Sequence, residues 1–305
     1  MSVLRPLLSA CVMLPLWSGT VLAEQSSAEP VKQAEVKAEG PCAAIFSEAS
    51  SLLNDAEITY RADGCTLTNV TFNAGMYQNW TAQKVEISSA ALDEKAQTLP
   101  EWGEVHIQSV GFWPSNLPAM RYLSKLKDDG FSLKVAYRWD KDSKILNVNE
   151  ARLYGKHIGE VLLSGSAELP ELPKFDALDE PTPPVDNIKL REISAKLDDQ
   201  GFFVNYVMMT LVGLIGYDHD PEPEVEKYRS MALAFVAGLS ADMIGNDDKQ
   251  AISRFITDLP KPKTPAEIHL NFDPAFALAP AEQEPLKLLG DIQKVLKIKA
   301  AYAGQ

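Results

Sequence analysis

The chain predicts an α+β fold: a curved antiparallel β-meander with helices packed on its apolar face. Two periodicities and one compositional fact carry that expectation. Across residues 57–72 and 131–163, apolar side chains recur at every second position between turns rich in Asp, Gly and Ser. Beyond residue 201 the recurrence changes to three and four, the spacing of helices. With 46% hydrophobic and 23% charged residues over 305 positions, the composition is that of a globular protein able to build one large domain or two small ones.

The first 23 residues, MSVLRPLLSACVMLPLWSGTVLA, carry one charged side chain, Arg5, ahead of an apolar run of about a dozen residues. Val21, Leu22 and Ala23 precede Glu24, and a signal peptidase groove accepts small or apolar residues at the last and third-last positions. The run is too short for the roughly 30 Å hydrocarbon layer at about 1.5 Å per residue. Cys11 lies inside the apolar run with no small-residue cleavage box after it, unlike a lipoprotein. Residues 1–23 are therefore expected to be a signal peptide cleaved after Ala23, and the mature protein to be periplasmic. No later stretch is long enough to span a bilayer; residues 202–216 come nearest but include Asn205.

Removal of residues 1–23 leaves Cys42 and Cys65 of the three cysteines. An even pair in an exported protein, with no C-x-x-C and no His near either Cys, is expected as a disulfide. The formal net charge of −13 disfavours nucleic acid and anionic membrane surfaces, which repel an acidic protein.

Residues 24–40 hold Ala, Glu, Lys and Ser without an aromatic, a flexible leader by composition. Residues 41–168 form the β-rich N-terminal part. A short helix is expected over 43–54, with Ile45, Ala49, Leu52 and Leu53 on one side. A hairpin follows, out through Ile58 and Tyr60, round Ala62-Asp63-Gly64, and back through Leu67, Val70 and Phe72. The step from Leu67 to Val70 breaks alternation and points to a bulge. KVEISSAALD and EVHIQSVGFW read as two further strands, and residues 115–129 as a helix stopped by Gly130. Strands through Phe131, Leu133, Val135 and Tyr137, then Ile145, then Val161 and Leu163 form the clearest meander, polar on one face.

Residues 169–186 are a Pro-rich connector, where missing donors and fixed φ oppose helix and inner strand alike. Residues 187–305 form the helix-rich C-terminal part, and whether it shares one sheet with 41–168 is open at this stage. Its strand carries Ile188, Leu190, Ile193, Ala195 and Leu197. FFVNYVMMTLVGLIG is apolar on nearly every side and is expected to be buried all round. An amphipathic helix should then place Val225, Tyr228, Ala232, Phe235, Leu239 and Met243 inward. A third helix over 248–259, a strand through Ile268, Leu270 and Phe272, a short helix at 281–289 and a Lys-edged last strand complete the chain.

Chemistry is sparse. No Gly-rich phosphate loop, Gly-x-Ser-x-Gly elbow or His-Glu-x-x-His helix is present, and no catalytic residue is assigned. The small residues of LLSGSAEL sit in a strand, where they ease packing. His106 and His269 fall opposite the apolar face and His157 in a turn, solvated positions. The richest polar cluster is GYDHDPEPEVEKY, in which Asp218, His219, Asp220 and Glu222 are weak candidate metal ligands. Pro221 and Pro223 stiffen the chain where a Ca²⁺ loop must curl. Asp220 as a cap, Pro221 at the first helical position and Glu222 and Glu224 at the positive dipole end explain the same residues as a helix start. No metal or cofactor is expected. Trp102, Phe112, Trp113, Tyr137 and Trp139 fall at strand ends, where aromatics complete a core edge or line a groove.

AYRWDKDSKILNVNEARLYGKHIGEVLLSGSAEL, AKLDDQGFF and the C-terminal strand–helix–strand resemble exported proteins of Gram-negative bacteria, some related to AsmA-like envelope proteins. The resemblance covers about the last two-thirds of the mature chain and rests on structural patterns. With no nucleophile–base or metal constellation in the chain, the expected role is a non-enzymatic exported envelope protein binding an apolar or lipid ligand. The alternative is a structural or protein-interaction module of the periplasm without a small ligand.

Overall fold

In the computed structural model, the described residues are 42, 56–73, 79–90, 98–113, 130–173, 188–215, 220–277 and 285–304. Ten strands form one antiparallel sheet in strict chain order. They are β1 (Glu57–Arg61), β2 (Gly64–Asn73), β3 (Asn79–Ser89), β4 (Trp102–Trp113), β5 (Phe131–Asp140), β6 (Ile145–Gly155), β7 (Gly159–Glu168), β8 (Lys189–Asp199), β9 (Ala266–Ala277) and β10 (Leu296–Tyr302). A π-helical turn, Phe203–Val207, leads into α1 (Met208–Ile215), followed by α2 (Glu222–Gly238), α3 (Asn246–Asp258) and α4 (Pro285–Val295). The protein is mostly β, an open meander, and strands on both sides of the Pro-rich segment belong to the same sheet. The expected signal peptide, leader, helices at 43–54 and 115–129, and most of the connector lie outside the described residues.

Antiparallel pairs share a face, so the registers extend one apolar surface across the whole sheet. Ile58 faces Leu67, Leu67 faces Val85, and Val85 faces Ile107. Ile107 faces Leu133, and the row continues through Leu153 and Val161 to Leu197. On the far side, Ala195 meets Ile268 and Ile268 meets Ala300. The neighbours of these residues in each strand, among them Lys84, Glu86, His106, Lys134, Arg152 and Glu160, make the opposite face polar. Period-two alternation is thus the direct cause of a two-faced sheet.

The break between Leu67 and Val70 has a specific origin. Asn69 stands at φ 55°, a left-handed conformation that Asn tolerates. It turns both Leu67 and Val70 into the core, at 1% and 3% exposure. Pairing with β3 stays in register on both sides, Thr68 to Lys84 and Val70 to Ala82, so the expected bulge is a left-handed residue without a slip. True register shifts occur between β4 and β5 and in each later pair as far as β8–β9. Such bulges add twist and bend to a sheet.

Two buried clusters lie at the ends of the sheet, while Trp139, Ile158, Ala167 and Leu169 are buried in and beside the middle strands. One core joins Cys42, Cys65, Leu67, Val70, Ala82, Ile87, Ile107 and Val110 over β2–β4. The other joins Leu239, Met243 and Ile244 to Ile298, with Ile252, Ile268 and Leu270 against it. The outer edge of β10 is covered as well. Ile298 N–H donates to Met243 O at 2.8 Å, and Ala300 N–H donates to the Asp248 carboxylate at 2.8 Å. Those bonds occupy donors that an exposed edge strand would offer to another chain. The Ala300 amide and nearby Lys299 hold the Asp248 carboxyl below the usual carboxylate range.

Two helical expectations are corrected. The apolar stretch from Phe202 is not buried all round: no residue of the π-helical turn is buried, and Val204 and Tyr206 are 37% and 46% exposed. A single open sheet offers one surface, so a helix beside it can bury only one side. On α2, Val236 is the buried residue while Tyr228 and Phe235 are exposed. The inward stripe keeps the expected Val225, Ala232, Leu239 and Met243 but takes Arg229 and Val236 in place of Tyr228 and Phe235. Arg229 occupies an inward place by donating to Leu259 O at 2.8 Å, its stem packed while its head is hydrogen-bonded.

Candidate ligand-binding face

Between the two end cores lies the apolar face of β5–β8. Val135, Val148, Ala151, Leu153, Val161, Leu163, Ile193 and Leu197 share it by register, and every one is half-buried. Three spacings of about 4.8 Å make this strip about 14 Å wide. Its side chains are aliphatic, so it can exclude water from an apolar group and offers no nucleophile or base.

One end of the strip is closed. Trp139, next to Leu146 in the ladder, is 9% exposed, and its indole Nε1–H donates to Leu169 O at 2.9 Å. Leu169 N–H donates to Lys144 O at 2.8 Å, and Lys144 Nζ stands 4.9 Å from the Trp139 ring centroid. The chain beyond is tied to the start of β4, where Leu99 N–H donates to Pro173 O at 3.0 Å. Tyr137 lies over Gly103, whose position leaves space for the ring: a Cβ there would sit 2.9 Å from Tyr137 Cε1. Its hydroxyl donates to Pro100 O at 3.2 Å, and burial pushes its pKa up. Trp139 and Tyr137 therefore complete a core edge, one of the two roles expected for them. Gly165 in β7 is another close approach, since a Cβ there would stand 2.5 Å from Glu192 O, and the small residues of LLSGSAEL serve packing.

The polar face carries the ion pairs. Lys84 meets Glu86 at 2.8 Å, Lys134 meets Glu150 at 2.8 Å and Glu104 at 3.4 Å, and Arg152 meets Glu160 at 2.7 Å. The Lys84 hydrogen bond draws the Glu86 pKa down, and Glu150 draws the Lys134 pKa up. At the centre, His106 Nε2 stands 2.8 Å from the Tyr154 hydroxyl, and Nδ1 stands 3.6 Å from Glu86 Oε2. The Arg152 guanidinium lies 4.5 Å from the Tyr154 ring centroid. Sequence reasoning put His106 on the correct face but missed this network, because Tyr154 reaches it across β5 from 48 residues away. Only the exact register of both hairpins places the two together. An open hollow of ≈ 430 Å³ adjoins it, lined by Ser132, Arg152, Tyr154, Glu160 and Asp198 with Gly155 and Gly159 at its rim. Arg152 Nη2 pairs with Glu160 there while its buried Nε has no hydrogen-bond partner, and the network reads as cross-strand pairing that holds register.

The remaining sequence candidates separate. Cys42 and Cys65 form the disulfide, Sγ–Sγ 1.99 Å. Asp220 is exposed and its carboxylate accepts the Glu222 N–H at 3.0 Å, the Asx contact of a helix start. Glu222 is exposed in the first turn of α2. Asp218 and His219 lie outside the described residues. Among the described residues no three of His, Cys, Asp and Glu converge on a metal-holding position, and no helix is long and apolar enough to cross a membrane. His269 is exposed on the polar face of β9, and His157 sits in the β6–β7 turn. No protein-family model, curated protein or solved structure matches the chain.

Proposed function

We propose that this is a non-enzymatic protein of the periplasm that holds an apolar ligand, a lipid acyl chain, against the β5–β8 strip. One observation carries the reading. The apolar face runs over all ten strands, and its two buried clusters lie at the ends of the sheet. Along the middle strands burial is confined to the strand ends and turns, at Trp139, Ala167, Leu169 and Ile158, which leaves Val135, Ala151, Leu153, Val161 and Leu163 between them half-buried. Apolar area left half-buried is favourably removed from water at about 25 cal/mol per Å², and a contiguous apolar patch that keeps part of its area in water suits an interaction surface. The segment joining α2 to α3 belongs to this design as the closure of one end, where Met243 and Ile244 pack on Ile298. The disulfide fits an oxidising compartment.

Native mass spectrometry of protein purified from a periplasmic extract tests the proposal. The expected spectrum contains a lipid-sized mass above the processed, disulfide-bonded chain. Leu163→Glu, which puts a charge on the strip, is expected to lose that mass, while Ser164→Glu on the opposite face keeps it. A spectrum with only the bare chain mass would favour the structural or interaction module instead.

A further inference from the structure

Every large apolar side chain counted as exposed among the described residues, Val204, Tyr206, Tyr228, Met231 and Phe235, falls in the helices between β8 and β9. Three of them are spaced along α2 as one stripe. Tyr228 is 48% exposed, Met231 58% and Phe235 57%, at i, i+3 and i+7, which is one side of a helix. The opposite side of α2 is already used, through Val236 and then Leu239, which packs with Met243 and Ile244. A Cβ at Gly238, one turn beyond Phe235, would meet nothing within 4 Å.

The charges around the stripe decide its partner. From Ser230 to Ala241 the chain carries no charged residue. The cations beside it are engaged, Lys227 with Glu224 at 3.1 Å, Arg229 with Glu226 and Leu259 O, and Lys249 with Leu239 O and with Ala237 O at 3.2 Å. The stripe therefore has no cation to offer an anionic surface, and the chain as a whole repels one, with its formal charge of −13. Its area also argues against a second copy. Half-exposed aromatic-sized side chains leave about 100 Å² each, or about 300 Å² for three, against about 800 Å² per partner in a stable interface. A shallow apolar face with a Tyr hydroxyl at its edge suits the interface of a bilayer, where such rings sit at headgroup depth.

We propose that the Tyr228–Met231–Phe235 stripe of α2 docks on an electrically neutral lipid bilayer, where the protein would exchange the ligand of the strip. The exchange rests on the lipid-binding reading; the docking is read separately. The full chain is floated with vesicles of zwitterionic phosphatidylcholine, and with vesicles in which about a third of the lipid is anionic phosphatidylglycerol. Binding is expected to the neutral vesicles, weakened by the anionic lipid at low salt. The Met231→Ser/Phe235→Ser double variant is expected to bind about tenfold less while keeping its melting temperature and its bound lipid mass. Phe235→Trp, a conservative change, is expected to show a blue-shifted emission with neutral vesicles. No flotation of the parent chain together with an unshifted Phe235→Trp spectrum would overturn the docking. So would equal flotation of the double variant, or a concentration-dependent dimer that this variant abolishes. A chain that floats but carries no lipid mass would leave docking intact and sink the lipid-binding proposal.

Discussion

Leu67→Ala is expected to lower the stability of the fold by about 3 kcal/mol, whereas Leu163→Ala lowers it by about 1 kcal/mol. The two leucines occupy equivalent places in the ladder, each central in a strand and each on the apolar face. They differ in surroundings. Leu67 is 1% exposed inside the β2–β4 core, so truncation removes buried methyl groups and leaves a cavity that the disulfide-tied neighbours cannot fill. Leu163 is half-buried between Ala151 and Ala195, and truncation there removes surface that is partly wet. Urea unfolding followed by circular dichroism on delipidated protein measures both. Equal losses at the two sites would mean that the middle of the sheet is a filled core, and the strip would have no room for a ligand.

Cys42→Ala/Cys65→Ala is the second large effect. The pair closes a loop with a sequence separation of 23, and release of such a loop in the unfolded chain costs about 3 kcal/mol by loop entropy. Both cysteines are 0% exposed in the β2–β4 core, so the lost packing adds to that figure. The double variant is expected to unfold at a markedly lower urea midpoint with a somewhat steeper slope, because the unfolded chain without the bridge is more expanded. A reductant acting on the intact protein is expected to react slowly until the fold opens. An unchanged midpoint in the double variant would show that the β1–β2 end is held without the bridge.

The sequence makes the sheet legible where alternation is regular and turns are short. Strands β5, β6 and β7 follow from Phe131, Leu133 and Val135, from Ile145, and from Val161 and Leu163, because period two commits each side chain to a face. The disulfide follows from arithmetic on an expectation: cleavage after Ala23 would leave two cysteines. The helical region is less legible for two reasons. Arg229 has a long apolar stem, so it can hold an inward place that a hydropathy pattern assigns to Tyr228. A nearly all-apolar stretch such as FFVNYVMM, with Asn205 its one amide, says that burial would be favourable, not that a surface exists to provide it. The polar network of Glu86, His106 and Tyr154 was beyond reach because it depends on the register of three consecutive strand pairs. The apolar strip is the intermediate case. Its residues are readable one by one, but that its middle stays half-buried depends on where the two end cores stop.

A tryptophan placed on each face in turn tests the central claim most directly. Leu163 and Ser164 are neighbours in β7, paired with Ala195 and Ser194 respectively, and so they face opposite ways. Leu163→Trp and Ser164→Trp are loaded with phospholipid brominated in its acyl chain, which quenches nearby indoles, and compared with the parent protein. The account predicts quenching of the added fluorescence in Leu163→Trp and little in Ser164→Trp. Equal quenching in the two, or none in Leu163→Trp with lipid bound, would contradict an acyl chain lying on the apolar face of β5–β8.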